Sequence, residues 1–260
     1  QVSLYAPPKS GKMSVIQQTL FNMRAVGKQF SVAWVNLFNV RTVYDFLKKF
    51  GTAVIKPLYS TPAEYADVIA RHLSGTHFLF DPARFASHEE IVCLNWEPDA
   101  NDIEQMLRLP FRIAEERGIP CFVVIEEFQN LMNADEYDDV FKLMERMMKE
   151  RDRSNPYPTV YVMSGAMVNA MKFIFEEKRY FYRQVNHVAL APVDEKEIIE
   201  HVVKGFLNGM GKSFDRNLAM GACELFKCNL WYMNHLAAIC DALSKGFVTE
   251  AEVEEMLTWN

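Results

Sequence analysis

Two hydrophobic periods alternate along the first three quarters of this chain. Residues 2–5 form a short apolar run that stops at Pro7-Pro8 and reads as a strand. In residues 12–25, Val15, Ile16, Leu20 and Met23 recur at helical spacing, which predicts a helix with those four on its buried face and Gly27 at its end. Residues 30–37 are rich in β-formers and predict a second strand. Residues 41–50 read as a helix closed by Gly51. Residues 61–73 read as another, opened by Thr61-Pro62-Ala63-Glu64: an N-cap, a first-turn proline and an acid. Residues 74–100 predict a loop-rich insertion with a strand at 91–95. An amphipathic helix at 102–117 stops at Gly118-Ile119-Pro120.

Cys121-Phe122-Val123-Val124-Ile125 is apolar without a break, the mark of a central parallel strand covered on both faces. Glu126 and Glu127 follow at once. A helix at 137–151 carries a methionine face (Met144, Met147, Met148) that reads as core. Residues 155–158 break the chain, and residues 159–163 predict the next strand, ending at Ser164-Gly165. A helix at 166–175 and a short strand at 185–190 follow. After Pro192 the pattern is helical only, at 194–207, 216–226, 231–243 and 249–259. Strand-and-helix alternation followed by helices predicts an α/β domain over 1–192 and a helical domain over 193–260.

Composition changes this picture little. The 260 residues are half hydrophobic and one quarter charged, with a net charge of −6 and no basic run, so bulk charge gives no nucleic-acid footprint. Lys142, Lys149, Arg151 and Arg153 are the one local basic group, and acids are interleaved with them. Five cysteines lack a zinc-ligand spacing and read as buried, reduced thiols in a cytoplasmic protein; Cys223 and Cys228 read as core packing. No apolar run approaches a membrane span and no signal-peptide pattern opens the sequence. The chain starts at Gln1, already entering a strand, and is expected to be a piece of a longer protein.

Candidate chemistry begins at Ala6-Pro7-Pro8-Lys9-Ser10-Gly11-Lys12-Met13-Ser14. Strand, loop, helix is the context of a phosphate-binding loop, whose pattern is Gly, four residues, Gly-Lys, then Ser or Thr. Gly11 and Lys12 fit; Ala6 and Met13 do not. Backbone amides at a helix start attract anions whatever the side chains, and Lys12 adds a cation. Ala6 is acceptable there if its φ stays negative. Met13 replaces the hydroxyl that normally holds Mg²⁺, and a thioether is a poor ligand for that hard cation. Ser14 stands one position too late. Glu126 is placed for a metal role and Glu127 for polarising an attacking water; the plain reading is two carboxylates ending a strand. Ser164 is placed to sense phosphate or merely to turn the chain, and Arg179 and Arg183 to reach phosphate or merely solvent. Asn229-Leu230-Trp231-Tyr232-Met233 opens a helix, either across a nucleotide or as a core anchor.

In order and spacing these pieces resemble the P-loop ATPases of the AAA+/STAND kind, especially the archaeal-type ATPase family. Pro7 to Lys12 stands as Walker A, Val123 to Leu131 as Walker B with its Phe-Gln sequel, and Val162 to Met167 as the sensor-1 strand. Tyr182-Arg183 precedes the lid, and Asn229-Leu230-Trp231-Tyr232 resembles its Asn-Pro-Tyr-Tyr-type motif. The resemblance implies a doubly wound parallel-sheet P-loop NTPase core, a small helical lid and ATP or ADP as ligand. It also implies a preceding nucleotide-contacting segment and, often, a winged-helix domain after the lid. Cofactor contacts would fall at Pro7, Pro8, Lys9, Ser10, Gly11, Lys12, Met13 and Ser14, with Glu127, Ser164 and Arg183 catalytic and Glu126 at the metal. The first Gly, the Mg²⁺ hydroxyl, the Walker B Asp and the lid Pro are all replaced. The expectation is an ATP-binding scaffold or regulatory subunit with weak or no hydrolysis, self-associating or bound to a protein partner. An active ATPase and a DNA-associated subunit of a mobile element or defence system are the alternatives.

Overall fold

The computed structural model describes residues 1–150 and 156–257. They form two compact units: Gln1–Pro7 with Gln18–Ala189, and Pro8–Gln17 with Leu190–Asn260.

In chain order, β1 (Val2–Tyr5) leads to α1 (Lys12–Ala25), β2 (Ser31–Asn36), α2 (Val43–Ile55) and α3 (Pro62–His72). The buried pair of α1 is Ile16 and Leu20, four residues apart on one face; Val15, about 100° round the helix, is 45% exposed, against expectation. Helix α2 runs past Gly51 rather than ending there. A Cβ at this position would stand 2.8 Å from Met106 Cε and Val92 Cγ2, so Gly51 serves close packing instead of termination. Helix α3 opens on a full capping box: Glu64 N donates to Thr61 Oγ1 at 3.3 Å, and Thr61 N donates to Glu64 Oε2 at 2.9 Å. Thr61→Ala is expected to cost about 1 kcal/mol, read as a lowered urea midpoint with an unchanged slope.

Residues 78–94 hold more structure than expected. β3 (Phe78–Leu79) pairs antiparallel with β4 (Cys93–Leu94), and α4 (Pro82–His88) lies between them, capped by Asp81. The strand expected at 91–95 is therefore two residues long and belongs to this separate ribbon. Then come α5 (Ala100–Arg117), β5 (Cys121–Glu126), a 3-10 turn at Phe128–Asn133 and α6 (Tyr137–Lys149). The expected end of that helix at Arg151, and Asn155 beyond it, lie outside the described residues. β6 (Thr159–Gly165), α7 (Val168–Lys172) with a π turn at Phe173–Glu177, and β7 (Asn186–His187) complete the larger unit.

Five strands pair in the order β2-β5-β6-β1-β7, all parallel. This is the doubly wound α/β P-loop NTPase-like fold. Val123, Val124 and Ile125 on β5 are fully buried, as expected of a strand flanked by β2 and β6. Because every strand points the same way, β1, β5 and β6 deliver their C-terminal residues Tyr5, Glu126 and Gly165 to one edge, where such sheets bind ligands. The aromatic core beneath that edge contains Phe128, Phe141, Phe175 and Phe181.

Helix α5 starts two residues earlier than expected because Asp99 caps it. Its N3 residue, Asp102, is buried and accepts from Asp99 N (3.0 Å), His77 N (2.9 Å) and His77 Nδ1 (2.8 Å). Burial pushes the Asp102 carboxyl up, but these donors outweigh it and hold the group below the usual carboxylate range. A depressed folded-state value stabilises above the unfolded-state value, roughly 3.9, and that contribution is lost as pH falls through the folded-state value. The urea midpoint of wild type should therefore fall more steeply than that of Asp102→Asn as the medium is acidified below about pH 4.

The smaller unit holds α8 (Glu195–Met210), β8 (Ser213–Phe214), α9 (Arg216–Leu225), α10 (Leu230–Leu243), β9 (Phe247–Val248) and α11 (Glu250–Leu257). Ile198, Val202, Phe206, Ala219, Met233 and Leu236 form its own core. β8 and β9 make a two-residue parallel ribbon where helices alone were expected; two residues carry no readable period. Trp259, expected in the last helix, lies outside the described residues.

Candidate functional site

The loop after β1 leads directly into the N-terminus of α1. Ala6 has negative φ, which removes the objection to its side chain, and its N–H donates to Gly165 O at 3.4 Å. Gly11 is left-handed (φ 85°) with nothing within 4 Å of a would-be Cβ. Lys9 is left-handed as well (φ 61°). Pro8, Lys9, Ser10, Gly11 and Ser14 are exposed, Pro7 also, and Met13 is half-buried. Lys12 opens α1 and is only 7% exposed, its Nζ 3.5 Å from Ser10 Oγ. The first turn of α1 contains no acidic residue of its own, which keeps the positive end of the helix dipole uncompensated by that turn.

Within the same unit the loop meets α10. Lys9 Nζ lies 3.7 Å from the centroid of Trp231 and 4.7 Å from that of Tyr232, a cation–π pair of contacts. Asn229 caps α10, accepting from Trp231 N at 2.9 Å and Tyr232 N at 3.4 Å, and so fixes where the two rings leave the helix. Trp231 is 36% exposed and stacks on His235 at 3.7 Å. The core-anchor alternative for this motif is thus corrected: Met233 and Leu236 enter the core, and Trp231 and Tyr232 do not.

The acidic candidates lie in the larger unit. Register pairs Glu126 with Asn36 across β5 and β2. Trp34 Nε1 donates to Glu126 Oε1, and Asn36 Nδ2 donates to Oε2 at 3.3 Å. Both oxygens therefore face β2, on the opposite side of β5 from β6 and β1. Glu127 occupies a left-handed conformation (φ 52°, ψ 44°), an uncommon one for this residue type that costs free energy and persists only where the surroundings enforce it. Its Oε2 accepts from Gln129 Nε2 at 2.6 Å and from Ala166 N at 3.4 Å. Gln129 is 3% exposed, and its Oε1 has no hydrogen-bond partner. That buried acceptor packs on Gly165, where a Cβ would meet it at 2.4 Å. Gln129 is the functional candidate that single-residue reasoning missed; the Phe-Gln sequel after the two acids was its signal.

Ser164 is buried at 1%, in register with Leu4 of β1. Arg183 is exposed in a turn where Arg179, Phe181 and Arg183 are all left-handed (φ 55°, 60° and 60°). Buried Phe181 anchors that turn, and the Arg179 and Arg183 guanidinium carbons lie 5.9 and 5.2 Å from the exposed Tyr182 ring. The basic group on α6 is neutralised locally: Lys142 pairs with Asp138 and Lys149 with Glu145. Arg151 and Arg153 lie outside the described residues. Among the described residues, no helix is long and apolar enough to cross a membrane.

No protein-family model matches the sequence, and no curated protein matches it. Solved structures do match. The Walker-type ATPase PABY2304 of Pyrococcus abyssi is similar with a TM-score of 0.60 at 15% identity, over 91% of this chain and 61% of that one. The Aeropyrum pernix ORC2 protein, solved as ADPNP–ADP complexes, gives 0.65 at 11% identity over 100% and 62%. The Aeropyrum pernix ORC1 protein, solved in complex with DNA, gives 0.57 at 12% identity over 99% and 59%. The chain thus spans about three fifths of the length of these structures. Identities this low establish a shared fold and nothing finer.

Proposed function

We propose that this chain is an AAA+/STAND-like nucleotide-binding protein with degenerate motifs. It holds ATP or ADP at Pro7 to Ser14 and acts as a scaffold or regulatory subunit that assembles with itself or a protein partner in the cytoplasm. The observation that carries this is Lys12: a nearly buried cation at the start of a helix, directly after a left-handed glycine, with no acid in the first turn. Gly11 permits close approach of backbone to phosphate, and Lys12 neutralises its charge. The solved ORC2 neighbour with ADPNP and ADP supports the same ligand class.

The residues present do not fit Mg²⁺. Met13 offers sulfur where a hard cation needs oxygen, and both Glu126 oxygens are already bonded to β2. The active-enzyme alternative rests on Glu127, whose carboxylate is oriented by Gln129 and the Ala166 amide. A DNA-associated role has the DNA-bound ORC1 neighbour in its favour and the paired lysines of α6 against it. Steady-state turnover separates scaffold from enzyme. The scaffold reading expects phosphate release with Mg²⁺ at the level of Glu127→Gln; a wild-type rate that this substitution abolishes would establish the enzyme instead.

A further inference from the structure

We propose that the helical unit contains a binding site for a thiophilic divalent cation, Zn²⁺ in the first instance, formed by Cys223, Cys228 and Glu195. The thiol sulfurs stand 2.7 Å apart, and the ligand atoms of all three residues lie within 4.8 Å of one another. The residues come from three places: Cys223 from α9, Cys228 from the turn before α10, and Glu195 from the first turn of α8. Four residues separate the cysteines, within the spacing of paired thiolate ligands in zinc sites. His235 and Cys240 follow in the sequence, but among the described residues it is the Glu195 carboxylate that joins the two thiols.

Core packing alone does not account for Cys228. Lys227 and Cys228 are consecutive left-handed residues (φ 52° and 51°), and neither is the glycine such a turn favours. Each costs roughly 1 kcal/mol or more in that conformation. The result is to fold Cys228 back over the end of α9, its N–H donating to Cys223 O at 2.6 Å, and to set its thiol against the buried one. A thiol–thiol contact is too weak a hydrogen bond to reward this placement; two thiolates on one cation are not. Loading releases both thiol protons to solvent. Two sulfurs on one tetrahedral Zn²⁺ stand about 3.8 Å apart, so the pair opens by about 1 Å, which the half-buried Cys228 can supply. Water takes the fourth position. The other candidate cluster, His77 with Asp99 and Asp102, carries no such argument, because the Asp102 oxygens already serve His77 and the Asp99 amide.

Co²⁺ titration of the reduced full chain tests this. The expected result is a sulfur-to-cobalt charge-transfer band with intense tetrahedral d–d absorption, saturating near one equivalent and bleached by Zn²⁺. Cys228→Ser, at a half-buried position that tolerates the change, should abolish the band and the rise in melting temperature that Zn²⁺ gives wild type; Glu195→Gln should weaken binding about tenfold or more. Cys223→Ser is the buried and riskier variant, which is why Cys228→Ser decides. Absence of the band, or a band that survives Cys228→Ser, overturns the site. So does a count below five free thiols in protein purified without reductant that returns to five on reduction, which would make the pair a disulfide.

Discussion

Lys12→Ala should weaken ATP binding by roughly 10- to 150-fold, the loss of about 1.5–3 kcal/mol for a charged hydrogen-bonding group. Lys12 is the single cation of the loop that is nearly buried, and desolvation strengthens its interaction with phosphate relative to an exposed lysine. Lys9 provides the internal comparison. Its ammonium rests on Trp231 and Tyr232 and would have to give up those contacts to reach phosphate, so Lys9→Ala should change affinity less. Equilibrium dialysis of both variants, with circular dichroism to confirm that α1 persists, gives the two numbers. Equal effects, or none for Lys12→Ala, would mean that phosphate does not sit on this helix start.

The largest effect on stability is expected at Phe128. It is fully buried immediately after Glu127 and meets Phe141 at 5.1 Å, Phe175 at 6.0 Å and Phe181 at 6.0 Å between ring centroids. Phe128→Ala removes the centre of that cluster and leaves a cavity that the surrounding rings cannot close, at a cost of about 3–5 kcal/mol. The consequence also reaches the site. The left-handed turn at Glu127 is held from one side by strand β5 and from the other by the seated Phe128 ring. Urea denaturation measures the loss; Phe128→Leu, which keeps most of the apolar volume, should recover a large part of it. A loss under 1 kcal/mol for the alanine variant would show that the cluster collapses and that Phe128 is not its keystone.

What the sequence revealed follows the range of the interactions involved. Thr61-Pro62-Ala63-Glu64 is a local signal and gave the N-cap and start of α3 directly; the reciprocal bond from Glu64 came with the structure. The apolar run at 121–125 likewise gave the central strand. Gly51 misled because a helix-terminating glycine and a close-packing glycine look alike until Met106 and Val92, far along the chain, arrive beside it. Glu126 was located correctly at its strand end, but its partners Trp34 and Asn36 depend on the β2–β5 register, which no local pattern encodes. The same holds for the third member of the cysteine cluster, since Glu195 meets Cys223 and Cys228 only after three helices pack. The loop and Trp231 were each singled out separately; that Lys9 joins them is a fact of tertiary structure. Gln129 shows the limit from the other side: the Phe-Gln sequel marks its position, but its burial against Gly165 and its bond to Glu127 come only with the fold.

Calorimetric titration of the full chain with ATP, once with Mg²⁺ and once with a chelator, tests most directly the proposal that the loop binds nucleotide without metal support. Saturable binding to the loop is expected in both, with affinities that differ by less than about tenfold and a signal lost in Lys12→Ala. No heat and no binding at any ATP concentration, or binding indifferent to Lys12→Ala, would contradict nucleotide binding at this loop. Binding that appears only with Mg²⁺ would contradict the claim that Met13 and the engaged Glu126 have uncoupled the nucleotide from the metal.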